Sequence, residues 1–285
     1  MIVSVLPNLD KRGSAEMVDK LGAMLKELGI EAYITDNVCC SYYKNAPEEE
    51  LFKISDIVIT IGGDGTIIRF SKKAALYGKP ILGINAGRMG YLADVEQKDY
   101  RSIARIFDGD YNIENRMMIK ITLVENGKTV GEYEALNDAV ISSGYISRII
   151  DISAHIDNDV IRYRADGLIA STPTGSTAYS LSAGGPVIDP VMEAMCVVPI
   201  CSHMLFAKPM IISGDKTLTL KAFSKKKSEI YLSVDGRKVA NIKPYTEVKL
   251  TKSENKVKLI RLDNRSFFKT LSAKFSDIRG TNNEK

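Results

Sequence analysis

At 285 residues the chain is long enough for one large or two modest domains, each able to bury a core. Apolar residues at 45% and charged residues at 26% are ordinary for a soluble globular protein and exclude disordered and fibrous classes. A formal charge of +4 suits anionic small molecules but is too weak to argue for nucleic acid, and no run approaches the roughly 20 apolar residues of a membrane span.

The opening residues 1–7 lack the basic start and long apolar stretch of a signal peptide, so the expected setting is cytoplasmic. Residues 2–6 read as a strand. The helix after it takes Ser14 as its N-cap and sets Met17, Val18, Leu21, Met24, Leu25 and Leu28 on one face before Gly29. The apolar run 57–61 is a further strand, followed by a helix over about 67–77, a strand over 80–84 and a helix over about 99–107. Strand–helix alternation with short, continuously apolar strands predicts an α/β domain over residues 1–111, built on a parallel, Rossmann-like sheet covered on both faces.

From residue 112 the pattern alternates, and segments 118–124, 129–133, 149–156, 160–163, 217–222, 230–234 and 248–250 read as strands. Hairpin signals stand between them at Asn126-Gly127, Asp157-Asn158-Asp159 and Asp235-Gly236-Arg237. The expectation is an all-β C-terminal domain over 112–262. In the remainder, 263–285, residues 267–275 form a short helix that packs back on the first domain, and the chain frays from Gly280. The run Lys225-Lys226-Lys227 reads as a solvated hairpin tip. Cys39, Cys40, Cys196 and Cys201 match no zinc or redox spacing and read as buried or inert thiols. With only His155 and His203 in the chain, a multi-histidine metal centre is excluded, and His203, beside Met204, Leu205 and Phe206, reads as a core residue.

Two stretches carry chemistry. Gly62-Gly63-Asp64-Gly65-Thr66 sits between the 57–61 strand and the helix after it. Glycines let successive N–H groups close on a phosphate, and a helix N-terminus adds partial positive charge. A carboxylate among such amides takes a proton from an attacking hydroxyl or helps to hold a metal that neutralises phosphates, and either role points to phosphoryl transfer. The turn is neither a Walker loop nor a Gly-x-Gly-x-x-Gly fingerprint. The second stretch, 164–186, is rich in hydroxyls and small residues and suits a turn and helix start facing a polar ligand better than it suits core packing.

At these residues the chain resembles the NAD kinases. Gly62 to Thr66 matches the family's first motif, Asp166 to Pro186 its long third motif, and Asn137-Asp138 the place where the family has Asn followed by an acid, more often Glu. The stretch 199–205, with His203, is similar to the family's Pro-His-Thr-Leu region. The resemblance implies transfer of the ATP γ-phosphate to the 2′-hydroxyl of the adenosine ribose of NAD, a divalent metal such as Mg2+, and a homodimer or homotetramer without nucleic-acid or membrane partners. Asp64 would be the general base and Gly62, Gly63, Gly65 and Thr66 the phosphate turn. Asp64, Gly65 and Arg69 would touch the dinucleotide, and Asn137 and Asp138 would hold base and ribose. Arg148, Arg164 and Asp166 would line the pocket, with Thr177, Ala178, Tyr179, Ser180, Leu181 and Ser182 at adenine and ribose and Arg237 closing it. Diacylglycerol, sphingosine and 6-phosphofructokinases resemble the chain at Gly62 to Thr66 but not over 166–186.

Overall fold

The computed structural model describes residues 1–87, 90–144, 149–225, 229–263 and 266–280. The chain divides into two compact units, Met1–Asn115 with Val257–Lys285, and Arg116–Lys256.

The first unit holds β1 (Ile2–Pro7), α1 (Ser14–Glu27), β2 (Glu31–Thr35), β3 (Lys44–Ala46), α2 (Glu48–Ile54), β4 (Ile57–Gly62), α3 (Asp64–Leu76), β5 (Ile81–Asn85) and β6 (Val95–Glu96). Its strands pair in parallel, β3 on β2, β2 on β1, β1 on β4, β4 on β5. Every residue of β4 and β5 is buried, which is what continuously apolar strands require of a sheet covered on both faces. Val3, Val5, Ile59 and Ile61 pack against Met17, Leu21 and Leu25 of α1 in one cluster.

Three local expectations are corrected here. Gly13, not Ser14, caps α1: its φ of 79° is a left-handed conformation open to glycine, while Ser14 is already helical and its buried Oγ has no partner among the described residues. The helix after the glycine turn begins at Asp64 rather than 67, because Gly63 takes the extended N-cap conformation. Residues Gln97–Ile106 form a 3-10 helix. The helix Phe267–Gly280 belongs to this unit, with the Phe267 ring 5.8 Å from that of Tyr91, while 281–285 of the expected frayed tail lie outside the described residues. Among the described residues no helix is long and apolar enough to cross a membrane.

The second unit takes up β7 (Asn112–Glu125), β8 (Lys128–Ala135), β9 (Asp138–Ser143), β10 (Ile150–Ile156), β11 (Asp159–Ala165), β12 (Gly167–Ser171), β13 (Ala194–Ile200), β14 (Met210–Ser213), β15 (Leu218–Phe223), β16 (Ile230–Val234), β17 (Arg237–Ile242) and β18 (Glu247–Arg261), with β7 starting and β18 ending in the first. Six of them form an antiparallel sheet in the order β14-β13-β12-β9-β16-β17, and β10 pairs β11 and β15 in the same sense. Ile141, Leu168, Ala170, Val197 and Leu232 meet Ile152, Leu220 and Leu250 in its core.

The polar stretch 164–186 contains the wholly buried strand β12, paired on both sides, which corrects the view that it packs poorly. Small residues allow this, since a Cβ at Gly167 would lie 2.6 Å from the Ile141 carbonyl oxygen. His203 is exposed rather than core, and Leu205 and Phe206 beside it are 90% and 93% exposed. Of the cysteines only Cys196 is buried, Cys40 is half-buried, and Cys39 and Cys201 are exposed. Lys226 and Lys227 of the expected hairpin tip lie outside the described residues.

Candidate active site

In the first unit, β4 ends at Gly62 and α3 starts at Asp64, at the carboxyl end of a parallel sheet, where open α/β folds bind ligands. A helix start leaves its first N–H groups without intrahelical acceptors. Gly62 is required by packing, because a Cβ there would meet Thr66 Oγ1 at 2.2 Å. Gly63 and Gly65 have open space where a side chain would stand, so their lack of one lets a ligand reach the backbone.

The Asp64 carboxylate is held by three successive backbone amides. Tyr91 N–H donates to Oδ2 at 2.7 Å, and Leu92 and Ala93 N–H donate to Oδ1 at 3.1 and 3.3 Å. A carboxylate offers about four lone-pair positions. Among the described residues one position on Oδ2 is left to accept from a hydroxyl or to face a metal. Gly90 makes this contact possible, since a Cβ there would lie 1.9 Å from Asp64 Oδ1. The segment is fastened from behind by Arg261, which donates to the carbonyls of Leu92 at 2.9 Å and Tyr91 at 3.3 Å and lies 3.4 Å from both Asp94 and Glu114. Burial pushes the Asp94 carboxyl above its ordinary range, partly offset by the Leu262 amide and Arg261. Arg69 lies 3.6 Å from Glu48 and stacks 4.8 Å over Phe70, so the structure pairs it with α2.

In the second unit, Asp138 opens β9 opposite Ser171 of β12, and Asn137 precedes it. Thr172 Oγ1 donates to the Leu136 carbonyl at 2.5 Å and Thr172 N–H to that of Asn137 at 2.8 Å. Gly175 lies so close that a Cβ would stand 2.1 Å from the Asn137 oxygen. From the other side the Asp235 carboxylate accepts from the amides of Leu136, Asn137 and Asp138 at 3.1, 2.7 and 3.2 Å. The result is a cavity of about 420 Å³ lined by Asn137, Asp138, Ala178, Tyr179, Ser233 and Asp235 among others. Tyr179, 46% exposed, offers a ring face to a base, and Asn137 both donates and accepts.

The remaining expected residues are placed more variously. Thr177 and Leu181 are half-buried, Ser182 and Arg237 are exposed, and Ser180 is buried beneath Gly185. Asp166 is half-buried between the Ser143 amide and the Ile200 carbonyl, while Arg164 reaches to 4.0 Å from Asp151 and lines a different cavity with Arg162 and Lys221. Arg148 lies outside the described residues. Sequence reasoning missed Gly90, Arg261, Thr172 and Arg116, and saw Asp235 only as a turn former. Arg116, 2% exposed, donates to Thr174 Oγ1 at 3.1 Å, and its signal was a lone charge at the head of the apolar run 117–119. Among the described residues no group of three or more His, Cys, Asp or Glu could hold a metal.

The chain matches the family model of the ATP-NAD kinase N-terminal domain over residues 14–111 and that of the C-terminal domain over 136–262. It is 35% identical to the NAD kinase of Natranaerobius thermophilus over 279 residues, covering 96% of this chain and 97% of that protein. It is 40% identical to the NAD kinase of Symbiobacterium thermophilum over 233 residues, covering 81% and 82%. Among solved structures, an NAD kinase from Archaeoglobus fulgidus in complex with ATP aligns with a TM-score of 0.73 at 25% identity, covering 96% and 98%. Yeast NADH kinase complexed with NADH shares the fold, with a TM-score of 0.83 at 21% identity over 94% of this chain and 84% of that one.

Proposed function

The chain belongs to the ATP-NAD kinase family, and from that premise we propose that it transfers the γ-phosphate of ATP to the 2′-hydroxyl of the adenosine ribose of NAD, giving NADP. The observation that carries this reading is Asp64 at the first position of α3, with helix-start amides beside it and one Oδ2 lone pair without a partner among the described residues. A ribose hydroxyl is a poor nucleophile at neutral pH, so a carboxylate in hydrogen-bond reach must take its proton as the phosphoryl group moves. Asp64 is that base. The amides of Gly63 and Gly65 hold phosphate oxygens, Thr66 N–H being given instead to the Gly63 carbonyl at 2.9 Å, and the exposed Arg69 is free to leave the half-buried Glu48 for a phosphate. In the second unit Asn137 and Asp138 hold base and ribose, Tyr179 stacks on the base, and Arg148, Arg164, Asp166, the 177–182 segment and Arg237 complete the nucleotide contacts.

The residues present fit Mg2+ rather than a protein-caged metal. Mg2+ keeps several waters and can be held largely by substrate phosphates, so the want of an acidic cluster among the described residues is no obstacle, and Asp64, whose open Oδ2 position serves the hydroxyl, would meet the ion through one of its waters. When bound, the ion neutralises charge on the phosphates. A cytosolic setting and assembly as a homodimer or homotetramer belong to the same reading, the latter checked by sedimentation.

Purified protein given ATP, NAD and Mg2+ should form NADP, and Asp64→Asn should lower kcat by about 10²- to 10⁴-fold. Asparagine turns one acceptor oxygen into an NH2 facing the 91–93 amides, so NAD binding by calorimetry is measured beside the rate. Retained binding with lost turnover is the expected result. Normal turnover in that variant would remove Asp64 from the base role, and no NADP from the wild type would remove the activity.

A further inference from the structure

The hairpin between β16 and β17 turns at Asp235 and Gly236, with φ of 47° and 76°, the pair of left-handed residues that a tight two-residue turn needs. That requirement does not call for a carboxylate. The β7–β8 hairpin has the same geometry, φ of 49° and 75°, with Asn126 in the first position. What sets Asp235 apart is its side chain, which accepts from the amides of Leu136, Asn137 and Asp138 while its own N–H donates to the Asp138 carbonyl at 3.0 Å. A group facing three N–H donors must be acceptor-only on both atoms, and of the turn-forming side chains only aspartate is.

We propose that Asp235 is a positioning residue for nucleotide recognition: by binding the 136–138 amides it aims the Asn137 and Asp138 side chains into the cavity whose wall it shares with them. Thr172 holds the carbonyls of Leu136 and Asn137 from the opposite strand, so Asp235 supplies the half of the clamp that fixes their N–H groups. Without it the peptide planes at 136–138 can rotate, and the two side chains lose their common orientation. The inference rests on the kinase reading of this cavity and deepens it.

Variants at Asp235 and Asn137, read by amide exchange, calorimetry and kinetics, test it. Asp235→Asn keeps the turn and one acceptor oxygen, and Asp235→Ala removes the clamp. Amide hydrogen exchange at Leu136, Asn137 and Asp138 should quicken in the order wild type, Asn, Ala, with or without nucleotide. Calorimetry with NAD should show affinity falling by about 10- to 100-fold, the scale of losing hydrogen bonds to a charged group, and the KM for NAD should rise by a larger factor than kcat falls. Because Asp235 acts through Asn137 and Asp138 together, Asn137→Ala combined with Asp235→Asn should lose less NAD affinity than the sum of the two single losses, only the Asp138 share being left to lose. Unchanged exchange at 136–138, unchanged NAD affinity in both variants, or additive losses in the double variant would each overturn the proposal. A wild-type protein that binds no NAD would instead strike the kinase reading, while the exchange measurement still reports on the clamp.

Discussion

Asp64 is both the proposed base and a structural acceptor, and the second role sets the terms of the first. Its carboxylate stays where three amides put it, and those amides reach it only because Gly90 has no side chain. In Gly90→Ala the new methyl carbon, 1.9 Å from Oδ1, must push the carboxylate or the backbone aside. A displacement on the order of 1 Å at a reacting group costs about 10²-fold in rate. We expect kcat for NADP formation to fall by that order while calorimetric NAD affinity stays within a few-fold, and a wild-type rate from a folded Gly90→Ala protein would show that the 91–93 contact does not position Asp64. Gly62 to Thr66 was legible in sequence because glycine and aspartate between a strand and a helix have few other reasons to stand together. Gly90 was not, since a glycine needed for close approach looks in sequence like any other.

At the scale of elements, the end of β18 anchors the Asp64 loop. Arg261 donates to two carbonyls of the loop whose amides hold Asp64, and it faces Asp94, whose side chain is 2% exposed. Arg261→Met would strip a buried carboxylate of its partner, a change that destabilises by about 3 to 5 kcal/mol. Urea unfolding should show that loss, and kcat per folded molecule should fall with it because the 91–93 amides lose their backing. Stability lost with kcat intact would confine Arg261 to a structural role. Nothing in the sequence joins position 261 to position 64, because the link runs through backbone atoms. By contrast the continuously apolar β4 and β5 and the hairpins at Asn126 and Asp235 were plain, each being fixed by residues adjacent in sequence. Strand β12 escaped notice for the opposite reason: it is buried through small residues, which carry no hydrophobic period.

For the molecule as a whole, acid stability is governed by several exposed carboxylates that lysines hold down and one buried carboxyl, Asp94, that is pushed up. Glu193 is the strongest of the first kind, its carboxyl drawn to about 2 by hydrogen bonds from Lys252 and Lys256, each 2.8 Å away. A carboxyl with a depressed folded pKa contributes stability that is present above its unfolded value, 4.5, and is lost as pH falls towards about 2. Asp94 has the opposite sign: its raised folded pKa adds stability below 3.8 and withdraws it as pH rises through the folded value. The Glu193 side chain is 42% exposed, so solvent screens the pair and its share is about 1 kcal/mol at most. Urea midpoints should therefore fall as pH drops from 5 towards 3, with Asp94 softening the decline. Glu193→Gln should flatten that slope, and added salt should reduce the difference between variant and wild type, because screening acts on exposed pairs and spares the buried Asp94. If the variant kept the full wild-type slope, acid sensitivity would have to come from groups other than the Glu193 carboxylate that the β18 lysines hold.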